Sequence, residues 1–495
     1  MRRPDFPATA PAIAWYARQT PEATAIVELG VATSYQALAT DMARCVGGLA
    51  ALGVGPGMLV GVEVRHERTT HLLLQLACEI IGAATVSLSR QDLTGGDPLV
   101  GQCDILLLAD AEMTEAPAVA RVIPADWPRH LPAASAEAIG HLNHPPPPDG
   151  IVGIVRTSGT TGAPKAIPLS QGRQQRMVTM HLARMTGDIL PHPTSLCLYG
   201  LAVRAVNLRV LGVLQHGGTV LFAQEDHAPA LLAGGIVNHA MFAVGDIARL
   251  IHRCAPPPAG HVLHVELFGA GTSRDLRRLI GQRLTDRMST RYSANETGLI
   301  ADTDADDVGT LAEGVAVRIV DETGADRPFG EAGLILARTS TMVDSYLGDP
   351  ALTAVAFTDG WYRTNDIGYQ PAPGKLVVLG RADDVLNIGG VKVPPGALED
   401  ALRRIPGVRD AVVMSIDRPD HTTALLVAIE VAGEQAIVGL RDNVGAILSR
   451  HVRHFEIMPL PWFPRTETGK VRRQDIKAAF LRRLPHPETG KPPKA

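Results

Sequence analysis

The chain has no cysteine pairs. Cys45, Cys78, Cys103, Cys197 and Cys254 are scattered, with no CxxC among them. That pattern excludes a disulfide framework and a zinc site built on cysteine pairs, and it fits a reducing cytoplasm. Long apolar runs are missing too. The longest, Leu72 to Leu88, is broken by Gln75 and Glu79 and followed by Ser89 and Arg90, so it reads as a buried helix and strand, not a membrane span. The N-terminus has Arg2 and Arg3 but no uninterrupted apolar core, which makes a poor signal peptide. Nor is there an excess of one charge: 47 Lys and Arg stand against 51 Asp and Glu, a net charge of −4. Such a balance gives no overall attraction to nucleic acid or anionic membrane, so any polyanion must be bound locally. No internal repeat is present.

What is there begins with Thr157 to Lys165, TSGTTGAPK, where hydroxyls and glycines alternate before a lysine. Gly159 and Gly162 let the backbone approach a ligand closely, and successive N–H groups with the hydroxyls of Thr157, Ser158, Thr160 and Thr161 can converge on anionic oxygens. A nucleotide triphosphate is the expected ligand, although ordinary surface turns have the same composition. The loop is not the P-loop of NTPases, because Lys165 is followed by Ala166 and GxxxxGK[ST] is absent. A kinase-like ATPase is therefore the weakest reading. The apolar run Ile151 to Val155 predicts a strand feeding the loop, and Ser170 is placed to cap a helix running towards Met185.

At 495 residues the chain exceeds the size at which a single core keeps growing, so at least two domains are expected. Tyr35, Leu38, Met42, Val46 and Leu49 step by threes and fours and predict a helix that Ser34 caps and Gly53 ends. Leu59 to Val64, Ile105 to Leu108 and Val262 to Phe268 are short apolar runs alternating with helical patterns, an α/β pattern with layered sheets. Pro145 to Pro148 reads as a stiff spacer before the loop strand. Leu398 to Leu402, Ala411 to Met414 and Ala424 to Val431 supply a helix and strands for a further small α+β module. The final PHPETGKPPKA, residues 485–495, reads as a disordered tail.

Further segments follow the loop in order: LFGAGTS (Leu267 to Ser273), YSANETG (Tyr292 to Gly298), GWYRTNDIG (Gly360 to Gly368), LGRADDVLNIGGVKVPPGALED (Leu379 to Asp400) and PRTETGK (Pro464 to Lys470). With these the chain resembles the acyl-adenylate-forming superfamily of AMP-dependent synthetases and ligases, which includes acyl-CoA synthetases, peptide-synthetase adenylation domains and luciferases. The resemblance covers nearly the whole chain. It implies an α/β fold: a large N-terminal AMP-binding domain of layered sheets with a distorted barrel-like subdomain (1–382), and a small mobile C-terminal α+β domain (383–484) that turns about a hinge at Asp383. It also implies ATP, Mg²⁺, a carboxylic acid and, as acceptor, CoA or a carrier protein. Thr157 to Gly162 would hold the β and γ phosphates with Lys165 at their fringe, and Glu296 with Thr157 would hold Mg²⁺. Asp366 and Arg381 would take the ribose. Tyr292, within the segment that also holds Ser293 and Asn295, would sandwich adenine with Gly269, Ala270 and Gly271. Lys470 would reach the bridging oxygen and the acyl carboxylate. After rotation, Asn387 to Lys392 would face the thiol, with Gly389 and Gly390 close to its arm.

This chain departs from the family at three points beside the nucleotide. Ser293 and Asn295 stand where relatives often have Gly and Thr, and Asn365 replaces a common glycine before Asp366. The segment Cys197 to Gly218 lacks the usual histidine or aromatic near Ala202 and Val203. It also lacks the aspartate that holds an α-amino group, which argues against an amino-acid substrate. Arg204 in that segment could meet a second polar or anionic group on the acid, but a snorkelling surface arginine is the expected reading. The expected activity is that of an AMP-forming acid:thiol ligase acting on a small or medium organic acid. The alternatives are an acyl-AMP ligase that loads a free-standing carrier protein or forms an amide, and a non-catalytic adenylate-binding protein. Intact Lys470, Glu296 and Asp366 count against the last.

Overall fold

A computed structural model describes residues 4–63, 67–109, 119–124, 126–134, 136–157, 165–185, 192–269, 271–272, 274–303, 307–384, 386–388, 391–393, 395–417, 423–431, 439–448, 455–465 and 471–482. The predicted helical stripe becomes the helix Tyr35–Ala51, in which Tyr35, Leu38, Met42, Val46 and Leu49 are buried. Ser34 caps it by accepting the Ala37 amide at 3.2 Å, which satisfies one of the unpaired first-turn donors.

Two large sheets make the layers. One orders Ala120–Val122, Ile105–Leu108, Leu59–Glu63, Ala84–Leu88, Ile151–Thr157 and Lys165–Ser170, parallel except for the last pair. The other has a parallel part, in the order Thr24–Glu28, Thr219–Phe222, Thr194–Cys197, His239–Ala243, His264–Phe268 and Met288–Ala294. It continues antiparallel through Gly298–Thr303, Gly309–Leu311, Lys375–Arg381, Trp361–Tyr369, Gly333–Arg338 and Ala316–Val320. This antiparallel arm is the expected barrel-like part. Among the described residues it runs as an open path rather than a closed barrel.

Two helices, Arg68–Ile81 and Arg204–Gln215, are enclosed almost all round, from Thr70 to Glu79 and from Val206 to Gln215. Burial on every face is what a helix in the centre of a large core shows, and both belong to one cluster with Ile13, Tyr35 and Met42. Polar groups on such helices need partners inside the protein. Glu79 Oε1 accepts from Gln75 Nε2 at 2.9 Å and Gln174 Nε2 at 3.0 Å, and Asn207 Nδ2 donates to Gln75 Oε1 at 2.6 Å. Among the described residues no helix is long and apolar enough to cross a membrane.

Past Leu386 a three-stranded sheet, Val408–Asp417, Thr423–Val431 and Phe455–Leu460, builds its own core. The strand alternation decides which residue faces which layer. Ala411 and Val413 pack with Leu398, Leu402 and Val444, while Val412 and Met414 pack with Ile476 and Phe480.

The parallel sheet carries a buried ionic cluster. Arg209 and Arg291 both pair with Glu266, His239 Nε2 lies 3.5 Å from the same carboxylate, and Arg291 donates to His181 Nδ1 at 2.8 Å. Burial, reinforced by Arg209, pushes the His239 pKa down to about 4, against about 6.5 in an unfolded chain. Between those values the unfolded chain binds a proton that the native state refuses. Stability is therefore expected to be full above about pH 6.5 and to fall as pH drops towards 4, by on the order of 3 kcal/mol. His181 and His264 shift the same way. The Glu266 carboxyl is held well below its ordinary range by the two arginines in spite of its burial, so it stays charged in the native state and adds to the loss at the acid end of this window, where the unfolded chain takes up its proton. Urea midpoints measured from pH 7 to 4.5 should decline steadily, and less steeply in His239→Gln. A flat profile would mean that His239 is not held neutral.

Candidate active site

The loop strand Ile151–Thr157 ends with Thr157 paired in register with Lys165. Ser158, Gly159, Thr160, Thr161 and Gly162 lie outside the described residues, as do Ala270 and Lys470. Lys165 places its ammonium 5.1 Å from the centroid of the Tyr346 ring, and the Tyr346 hydroxyl donates to Glu296 Oε1 at 2.8 Å. The loop lysine and the glutamate are thus joined through one aromatic side chain. Burial and the charge of Glu296 push the hydroxyls of Tyr346 and Tyr362 above their ordinary pKa, so both keep their protons as donors.

Glu296 is buried at the turn between Met288–Ala294 and Gly298–Thr303. Arg173, near the start of the helix Gln171–Met185, clasps that turn. Its guanidinium donates to the carbonyls of Asn295 at 2.6 Å, Glu296 at 3.0 Å and Thr341. Burial pushes the Arg173 pKa down to about 10. Ser170 Oγ accepts the Arg173 amide at 3.4 Å, the expected cap.

A second group forms around Asp366, on the strand Trp361–Tyr369. Tyr292 donates its hydroxyl to Asp366 Oδ2 at 2.5 Å, and Arg381, opposite Asp366 in register, stands 3.2 Å from Oδ1. Burial and the charge of Asp366 push the Tyr292 pKa well up, so the phenol remains a donor. Tyr292, expected at the adenine, therefore holds the carboxylate of Asp366, which was expected at the ribose. The Asp366 amide donates to Thr364 Oγ1 at 3.1 Å, which sets the carboxylate's backbone. Gly269 follows the strand His264–Phe268 with φ +92, a conformation that favours glycine.

The departures acquire reasons. Asn365 has φ +60, the left-handed region where glycine is free and asparagine is the best tolerated side chain. Its Nδ2 donates to Asp383 Oδ2 at 2.5 Å. Ser293 is exposed beside a register shift in the strand.

Arg204 is a correction. It is not a snorkelling surface residue, because the helix it opens lies inside the core. Its nearest polar partners are Gln174 Oε1 at 3.4 Å, Asn207 Oδ1 at 3.5 Å and Met177 Sδ at 3.7 Å. Burial and the charge of Arg173, against the opposing Glu79, push its pKa down to about 9, which leaves it cationic at neutral pH. Sequence reasoning also missed Arg173, Tyr346 and Thr364. Each lies far along the chain from the carboxylate or turn it supports, and the helix cap at Ser170 was the one local signal near any of them.

Layered α/β sheets, with Lys165 joined through Tyr346 to a buried carboxylate and a second carboxylate paired to an arginine, fit a nucleotide-using enzyme of the adenylate-forming kind. The family model described as AMP-binding enzyme matches residues 13–347, and the chain belongs to that family. The chain is 26% identical to sulfoacetate–CoA ligase of Cupriavidus necator, over 94% of this chain and 97% of that protein. It is 27% identical to phenyloxazoline synthase MbtB of a Mycobacterium species over 94% of this chain, spanning 42% of that longer protein. The ATP-bound structure of MatB from Rhodopseudomonas palustris has the same fold, with a TM-score of 0.80 and 20% identity over 95% of this chain and 99% of that one. The protein is an AMP-forming ligase of the acyl-CoA synthetase kind.

Proposed function

We propose that this enzyme activates a small or medium carboxylic acid as its acyl adenylate and passes the acyl group to the thiol of CoA. The observation that carries the assignment of residues is the chain Lys165, Tyr346, Glu296, which ties the end of the phosphate loop to a buried carboxylate. A carboxylate oxygen attacks the α-phosphorus of ATP and pyrophosphate departs, so two anions must be brought together in line. Thr157 to Gly162 and Lys165 supply donors and charge to the leaving phosphates. Glu296 and Thr157 suit Mg²⁺, an ion held by one or two carboxylates together with substrate phosphates. Glu296 fits because it is buried and oriented by a neutral hydroxyl. When bound, the ion would neutralise phosphate charge. Asp366, an acceptor for two ribose hydroxyls at once, is oriented by Tyr292 and Arg381, and Lys470 reaches the reacting oxygens. Residues 383–484 then rotate about Asp383 to admit the thiol.

A panel of carboxylic acids assayed for acid-dependent pyrophosphate release, and then for consumption of CoA, tests the proposal. Pyrophosphate and CoA should both respond to the acid. Release without CoA consumption would shift the acceptor to a carrier protein or an amine, and no release with any acid would leave a binding protein. Asp366→Ala should raise the KM for ATP about tenfold or more with a smaller change in kcat, because the ribose does not react. An unaltered KM would remove Asp366 from the nucleotide site.

A further inference from the structure

Arg204 and Arg173 both carry guanidinium groups in the interior, and the charge of Arg173 acts on Arg204. Arg173 spends its donors on three carbonyls of the Asn295–Glu296 turn and Thr341, which are neutral acceptors. Arg204 has weaker contacts still: two amide oxygens at 3.4 and 3.5 Å and a thioether at 3.7 Å. Hydrogen bonds to charged groups are ordinarily shorter than 3 Å. Among the described residues no carboxylate stands within 4 Å of it. The carboxylate most able to balance it, Glu79, is one side chain removed. Gln174 lies between them, giving its amide to Glu79 Oε1, which also takes that of Gln75. A buried cation without an anion at hand is costly, and this one retains partial exposure, as a side chain lining a recess does. Met177, which touches Arg204, also approaches the turn after Glu296: its Cε would lie 3.3 Å from a Cβ on Gly298. Arg204 is thus set beside the region where the acid must meet the nucleotide. Val203 provides no side-chain cap to the helix that Arg204 opens, so the local potential is positive.

We infer that Arg204 is the counter-charge for a second anionic group on the acid, and hence that the substrate is a short acid carrying another carboxylate or a sulfonate. This rests on the ligase reading above. The second group would take the guanidinium's unused donors while the first carboxylate attacks phosphorus.

The test is ATP–pyrophosphate exchange with matched probes: propanoate against malonate, butanoate against succinate, and acetate against sulfoacetate. Wild type should prefer the dianion of at least one pair by about tenfold or more in kcat/KM, and Arg204→Leu should lower that dianion-to-monoanion ratio by about tenfold to a hundredfold. Arg204→Lys, which keeps the charge, should retain part of the preference, and it serves where the leucine variant does not fold. Thermal melting separates a structural role. A residue that merely balanced Glu79 would destabilise the protein on replacement by leucine and leave the ratio unmoved. Preference of wild type for every monoanion, or a ratio unaffected by Arg204→Leu, overturns the inference and leaves the ligase intact. Exchange with no acid at all, in a protein that still binds ATP, overturns the ligase reading and this inference with it.

Discussion

Replacing Lys470 by alanine is expected to cut adenylate formation about a hundredfold or more, the scale of losing one preorganised charge stabiliser in a water-poor site. In the proposed reaction the carboxylate and the α-phosphate are both anionic, and Glu296 and Asp366 would add negative charge nearby, so a mobile cation would serve the first step. A lysine ammonium on a flexible stem suits this, because its compact charge can be brought in and withdrawn. The second step needs no such cation, so thioester formation from supplied acyl-AMP should survive in Lys470→Ala. Equal loss in both half-reactions would make Lys470 a structural residue and remove the case for two orientations of the C-terminal part.

The second large effect is expected at Asp383→Pro. Asp383 lies in the short turn Ala382–Asp384, directly after the strand that carries Arg381, and its carboxylate accepts from Asn365 Nδ2. Proline fixes φ near −65° and deletes an N–H, so a backbone that must change dihedrals between half-reactions would be held in one orientation. Pyrophosphate exchange should persist while thioester formation collapses, with an unchanged melting temperature. Asp383→Ala is the control, since it removes the bond to Asn365 and leaves the backbone free. It should retain most thioester activity. Full overall activity in a folded Asp383→Pro protein would place the pivot elsewhere.

Local signals carried much of the fold. The stripe from Tyr35 to Leu49 with its Ser34 cap became a helix because propensity, capping and burial agree there, and Leu72 to Leu88 divided into the helix Arg68–Ile81 and the strand Ala84–Leu88. Ala411 to Met414, read as part of the small α+β module, lies in a strand whose two faces are both buried. Glu296 and Asp366 were singled out because each sits in a distinctive short segment, and the structure finds both buried and hydrogen-bonded. Arg204 was not. A polar residue at the first position of a helix looks exposed until it is known that the helix lies inside the core, and that depends on contacts with Gln75, Gln174 and Met177 far away in sequence. The same holds for Tyr346 and Arg173, whose partner Glu296 is brought to them by strand pairing and helix packing. The asparagine at 365 looked like a loss of glycine. Its left-handed backbone and its bond to Asp383 give it a part of its own.

The central claim, that a carboxylate oxygen of the acid forms a bond to the α-phosphorus of ATP, is tested most directly by isotope transfer. The acid that supports exchange is labelled with ¹⁸O in its carboxylate and turned over with ATP and CoA. Attack on the α-phosphorus expels pyrophosphate and leaves one acid oxygen bridging carbon and phosphorus. Thiol attack on the acyl carbon then breaks the carbon–oxygen bond, so the account predicts one ¹⁸O in each AMP formed. Unlabelled AMP, or ADP with the label in inorganic phosphate, would contradict it.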